Sequence, residues 1–374
     1  YKDSNGSKVN FKMYYDYQMN NAILIHPDTG SFKFNVQAKD FRSGIDPSLA
    51  KCTDGTSCNL DSVSSPSTND GGLIPINAKD LPASTVSSGG RNVCGWDCSS
   101  SGGKTHSRLT RMTTLPSMSI DSSNNQFPNI PCGLIGYLFS KTSSENNQNS
   151  NQMGLGYPGY YATSFLSQSS YKTLHVAIDD VDNAAANQNV GYWGFDLTTS
   201  GSTVLLQDVP FYVEEVTPNK YPGTRQLKIG ISATGTADLQ FANFDTGTPD
   251  AYRVTGVLLN QIADYFVSLA KDDTESVTAI NKWRNSNGQY LKVKTSLLLD
   301  ANGAYISLPF QFEKTPTSPL FTKDYYELSN NGSTTTLYFM SDEKNTFGLP
   351  FYKSRETVYT DSSPFTASIY AFKK

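Results

Sequence analysis

Leu174-His175-Val176-Ala177-Ile178, Val190-Gly191-Tyr192-Trp193-Gly194-Phe195-Asp196-Leu197 and Phe211-Tyr212-Val213-Glu214-Glu215-Val216 decide the fold class. Each run is short, rich in β-branched or aromatic residues, and set off by turn-forming Asp, Asn, Gly or Pro. That is the signature of a sheet strand. Two more strands follow at Leu227-Lys228-Ile229-Gly230-Ile231 and Asp238-Leu239-Gln240-Phe241. The pattern then changes. Val257, Leu258, Ile262, Tyr265, Phe266 and Leu269 recur at helical spacing, and Asp272-Asp273-Thr274 offers a stop and a fresh N-cap for Val277, Ile280 and Trp283. A helical hairpin over residues 255–284, packed on a sheet, is the expectation.

Strands resume at Tyr290, with turns at Asn287-Gly288, Asn302-Gly303 and Asn331-Gly332, and a closing strand over residues 365–372. Upstream, Val9-Asn10-Phe11-Lys12-Met13-Tyr14 alternates with period two. Ala22-Ile23-Leu24-Ile25 runs into His26-Pro27-Asp28-Thr29-Gly30, a turn by every residue type in it. Between 43 and 155 apolar stretches thin out among Ser, Gly and Asn, and the reading there is long ordered loops with one good strand near 130–139. The whole is expected to be mainly β, an antiparallel sandwich or jelly-roll with long loops and one helical hairpin insertion. Residues 1–170 form an N-terminal β and loop-rich region, and residues 171–374 a C-terminal β-rich domain. No repeat period is visible, which argues against propellers and solenoids.

Composition narrows the function classes. Only 17% of residues are charged, while Tyr numbers 22 and Phe 20. Solubility carried by hydroxyl and amide groups suits an extracellular or self-assembling β protein. A formal charge of -4 with scattered Lys and Arg gives no nucleic-acid footprint, and no apolar run is long enough for a transmembrane helix. The opening Tyr1-Lys2-Asp3 has no Met and no signal-like core, so a leader was removed or the numbering starts within a longer chain. Residues 1–11 resemble the opening hairpin of outer-membrane porins. A barrel, however, needs alternating segments of about ten residues throughout, and residues 43–155 lack them.

Five cysteines are present. Cys52 with Cys58 and Cys94 with Cys98 would close two small disulfide loops in an oxidising compartment, leaving Cys132 over. Zinc on these four and His106 is the rival, against which the wide first spacing counts. For hard cations, the acidic cluster Asp179, Asp180, Asp182 and Asn183 offers oxygen ligands to calcium, or simply a turn. Asp245-Thr246-Gly247-Thr248-Pro249-Asp250 reads the same way. Tyr157, Tyr160 and Tyr161 in a Gly-rich loop, and Trp96 in its small cysteine loop, are ligand-binding candidates; the alternative is that these rings cover the edge of the core. Asn5-Gly6-Ser7 and Asn331-Gly332-Ser333 match the N-glycosylation sequon.

No nucleophile elbow, phosphate loop or zinc-protease motif occurs, and catalytic residues are not assigned. The leading expectation is a non-enzymatic extracellular or cell-surface binding protein of adhesin or pilus-tip type, recognising a host glycan or protein receptor. The alternatives are a structural subunit of a viral capsid or filament, contacting identical subunits, and a secreted glycoside hydrolase using a carboxylate pair.

Overall fold

The computed structural model describes residues 11–14, 22–30, 34–37, 97–101, 106–115, 118–119, 126–127, 130–140, 151–157, 171–179, 190–199, 203–214, 224–314 and 320–372. The fold is mainly β, as the strand patterns require, with the helical hairpin set into its C-terminal half. Among the described residues the strands fall into one nine-stranded and one thirteen-stranded sheet, and neither strand order closes on itself.

The hairpin forms as helix α1, Gly256–Ala270, and helix α2, Thr274–Arg284. Asp273 caps α2: its carboxylate accepts the Ser276 amide at 3.2 Å and the Ser276 hydroxyl at 2.8 Å. Lys294 lies 2.9 Å from the same carboxylate, and its hydrogen bond, with those from Ser276, holds the Asp273 pKa down at about 2. Leu258, Ile262, Ala263, Tyr265 and Phe266 turn into the core. Val257, expected on that face, is 45% exposed, because it sits in the first turn beyond the packed stripe. The three Asn-Gly turns are in place, with Gly288, Gly303 and Gly332 at φ of 67°, 80° and 93°.

Described residues within 43–155 form strands beyond the one near 130–139. Strands occupy Asp97–Ser101, His106–Leu115 and Ile130–Ser140, and the second pairs with both others. Ser and Thr recur in the first two of these strands, and β-branched Thr suits a pleated surface even where its hydroxyl makes the sequence look loop-like. His106 therefore begins a strand, and His26 lies inside the strand Ala22–Asp28, buried, rather than in a turn.

One pattern of strand pairing occurs twice. In the first half, Ala22–Asp28 runs parallel to Asn151–Gly154, which pairs antiparallel with Phe34–Gln37, which runs parallel to Ile130–Ser140. In the second half, Gln240–Phe244 runs parallel to Thr346–Phe347, which pairs antiparallel with Tyr252–Val254, which runs parallel to Thr334–Ser341. Each first strand also has an antiparallel hairpin partner before it, Phe11–Tyr14 and Arg225–Ile231. The chain thus builds the same four-strand motif twice, although the sequence shows no period. Each motif delivers one Asp-Thr-Gly turn to the middle of the molecule.

Candidate active site

Asp28-Thr29-Gly30 ends the strand Ala22–Asp28, and Asp245-Thr246-Gly247 follows Gln240–Phe244. The parallel neighbours fix both turns from behind: the Leu155 amide donates to the Asp28 carbonyl at 2.7 Å, and the Asp245 amide donates to the Phe347 carbonyl at 3.0 Å. Within each turn the glycine amide donates to its own aspartate, Gly30 to Asp28 Oδ1 at 2.8 Å and Gly247 to Asp245 Oδ1 at 2.7 Å. Thr248 Oγ1 adds a bond to Asp245 Oδ2 at 3.0 Å.

The threonines lock the turns together. The Thr29 amide donates to Thr246 Oγ1 at 3.1 Å, and the Thr246 amide donates to Thr29 Oγ1 at 3.0 Å. Each hydroxyl then donates across to the strand of the other turn, Thr29 to the Phe244 carbonyl at 3.0 Å and Thr246 to the Pro27 carbonyl at 2.6 Å. Both threonines are buried, so these four bonds are shielded from water.

The glycines show how close the carboxylates come. A Cβ on Gly30 would overlap the Asp245 carboxyl group. A Cβ on Gly247 would stand 2.6 Å from Asp28 Oδ1 and 2.9 Å from Asp245 Oδ1, so those two oxygens are separated by less than the sum of these distances. Only glycine permits this crossing, in which each turn's glycine faces the other turn's acid. Asp28 is buried and Asp245 half-buried. The two carboxyl groups thus face one shared position, each within reach of the same reacting group.

Further contacts brace the first turn. Thr224 Oγ1 donates to the Gly30 carbonyl at 3.2 Å. Arg225 Nη1 donates to the Leu155 carbonyl at 2.6 Å, while its Nε and Nη2 grip the Asp361 carboxylate. Burial opposes the Arg225 charge, but Asp361 more than offsets it, and the guanidinium pKa ends above its ordinary value. The second turn rests on aromatic packing, with Phe244 stacked on Phe347 at 5.4 Å and edge-on to Phe351 at 4.6 Å.

The sequence-derived candidates lie elsewhere. Tyr157 is half-buried and edge-on to Phe211 and Phe365 at 6.3 and 5.3 Å, so its ring covers the rim of the core. Tyr160, Tyr161, Trp96, Cys52, Cys58 and Cys94 lie outside the described residues, as do Asp180, Asp182 and Asn183; Cys98 is placed on the strand Asp97–Ser101 by its backbone alone. Asp179 follows the strand Thr173–Ile178, its amide donating to the Val190 carbonyl at 2.7 Å. Among the described residues no group of three His, Cys, Asp or Glu gathers to hold a metal, and no helix is long and apolar enough to cross a membrane. The Asp245 segment, entertained as a calcium loop, instead points its carboxylate at the other turn. His175 is buried with Nδ1 2.9 Å from Glu356 Oε1, away from the paired aspartates.

With this geometry in hand, the fold is a mainly β structure in which two copies of one strand motif each bring an acid to the same place. The chain is similar in fold to the aspartic proteinase from Irpex lacteus, with a TM-score of 0.55 at 14% identity, over 98% of this chain and 95% of that one. No protein-family model matches the chain, and no curated protein matches it. The fold likeness and the paired aspartates overturn the adhesin expectation; of the sequence-based alternatives, the hydrolase is the one they favour. What sequence reasoning missed is the tripeptide Asp-Thr-Gly itself, present at 28–30 and again at 245–247, each time after an apolar strand.

Proposed function

We propose that this protein is an aspartic-type peptide hydrolase in which Asp28 and Asp245 are the paired catalytic carboxylates. The observation that carries the reading is the crossed, threonine-locked placement of the two turns, which sets two acids around one reaction position. The name of the fold neighbour agrees with it.

The chemistry asks one carboxyl to act as base and the other as acid. The ionised carboxylate takes a proton from a water molecule, whose oxygen attacks the peptide carbonyl carbon. The protonated carboxyl gives its proton to the carbonyl oxygen, and a tetrahedral diol forms. The carboxyl that took the water's proton gives it to the amide nitrogen, and the C–N bond breaks. The other carboxylate takes back a diol hydroxyl proton, so an acid and an amine leave and the starting pair is restored. The glycine amides keep both inner oxygens aimed at the reaction position without motion during the step.

The test is peptide cleavage across acid to neutral pH, by mass spectrometry of products from a denatured protein substrate. Wild type should cleave along a bell-shaped pH profile, and Asp28→Asn and Asp245→Asn should each abolish cleavage while melting like wild type. A wild type that cleaves nothing, or a variant that keeps its rate, overturns the assignment.

A further inference from the structure

The two threonines are not equivalent, and the difference lies in a tyrosine. Thr246 Oγ1 donates to the Pro27 carbonyl and accepts the Thr29 amide, and among the described residues it has no third partner. Thr29 Oγ1 makes the matching pair of bonds and also lies 3.3 Å from Tyr352 Oη. Tyr352 Oη in turn lies 2.7 Å from Tyr359 Oη.

Hydrogen counting gives this chain a direction. The one hydroxyl hydrogen of Thr29 goes to the Phe244 carbonyl, so Thr29 can only accept from Tyr352. The hydrogen of Tyr352 is then committed to Thr29, and Tyr359 must donate to Tyr352. The relay runs Tyr359 to Tyr352 to Thr29 to Phe244, and it is buried throughout. Burial pushes the Tyr352 hydroxyl well above its ordinary pKa and that of Tyr359 up to about 12, so both stay protonated. The Arg225 guanidinium lies 4.8 Å above the Tyr359 ring and fixes the far end of the relay.

The placement follows from the doubled motif. In the second half, the parallel strand Thr346–Phe347 leads through Gly348 into the helical turn Leu349–Tyr352, which carries Tyr352 beneath the first half's turn. At Gly348 a Cβ would stand 2.9 Å from the Ala251 carbonyl, so the chain turns there only with glycine. In the first half, the aromatic that follows Gly154 is Tyr157, and its ring goes to Phe211 and Phe365.

We propose that Tyr352 is a positioning residue for the aspartate pair: its hydroxyl, oriented by Tyr359, completes the coordination of Thr29 and holds the Asp28 turn, but not the Asp245 turn, in register. This rests on the peptide-hydrolase reading, so the test has one arm that needs no activity. The arms are steady-state kinetics and hydrogen exchange by mass spectrometry over the peptides containing Thr29 and Thr246, for wild type, Tyr352→Phe and Tyr359→Phe. Tyr352→Phe should lower kcat roughly 3–10-fold, the worth of one buried hydrogen bond, leave KM within about twofold, and speed exchange in the Thr29 peptide more than in the Thr246 peptide. Tyr359→Phe, which leaves the Tyr352 hydroxyl in place, should do the same to a smaller degree. Unchanged exchange in both variants overturns the proposal whether or not the protein cleaves peptides. A lowered melting temperature with unchanged kcat reduces Tyr352 to a packing residue and overturns it too. A wild type with no peptidase activity but faster exchange in Tyr352→Phe sinks the hydrolase reading alone and keeps the hold on Thr29.

Discussion

The turns at Asp28 and Asp245 have the same tripeptide, the same glycine-to-carboxylate bond and the same threonine exchange, yet they are held differently. The first is gripped by side chains of the second half: Thr224 on Gly30, Arg225 on Leu155, Tyr352 on Thr29. The second is held by its own neighbours, Thr248 on its carboxylate and the rings of Phe347 and Phe351 beneath Phe244. A doubled motif gives near symmetry in the backbone, and side chains then break it. The break leaves the two acids in different surroundings, Asp28 buried and Asp245 half-buried.

The sharpest way to break the comparison is at the acids. Asp28→Asn and Asp245→Asn should each cost about 10³-fold or more in kcat, measured by product formation at the optimum pH; a surviving rate in either would mean the turns do not act as a pair. Next come the glycines. Gly30→Ala and Gly247→Ala should each lower kcat by about 10²-fold, since a displacement near 1 Å at a reacting group costs that much. Gly30→Ala should be the worse of the two, because its Cβ meets the whole Asp245 carboxyl group.

Smaller effects sharpen the asymmetry. Thr29→Val and Thr246→Val should destabilise by about 1–3 kcal/mol in denaturant titration, since each strands buried partners. Thr29→Val should cost more, because it also orphans Tyr352; equal losses would erase the distinction drawn here. Last is an alkaline effect. Burial sets the Tyr359 and Tyr290 hydroxyls near 12, against an unfolded value of 10. The folded form therefore keeps protons that the unfolded chain releases, and stability is full below the unfolded value and lost as pH rises through the folded one. Melting temperature should hold up to about pH 10 and fall between about 10 and 12, and Tyr359→Phe should flatten that fall.

Much of the fold was legible. Period-two runs gave the strands, helical spacing and the Asp273 cap gave α1 and α2, and Asn-Gly pairs gave the turns. The thirteen-stranded sheet draws on these local signals. The Thr- and Ser-rich strands His106–Leu115 and Asp97–Ser101 were missed because Ser and Thr, read singly, suggest loops as readily as strands. The site was legible only as turns. Asp, Thr and Gly are turn formers singly, and nothing local in Asp28-Thr29-Gly30 distinguishes a turn that bonds itself from one that bonds a distant copy. Thr29 and Thr246 meet across a separation of 217 residues, and that pairing belongs to the tertiary structure. Tyr352 was silent for the same reason, since its partner hydroxyls come from the Asp28 turn (Thr29) and from the strand Arg355–Thr360 (Tyr359).

That separation has a consequence for the newborn protein. At ribosomal speeds of roughly 5–20 residues per second, the second turn emerges roughly 10–40 s after the first. Through that interval the nascent polypeptide carries the Asp28 turn without the Asp245 turn that locks it. On the proposed reading, catalysis begins only when the C-terminal portion has been translated and docked.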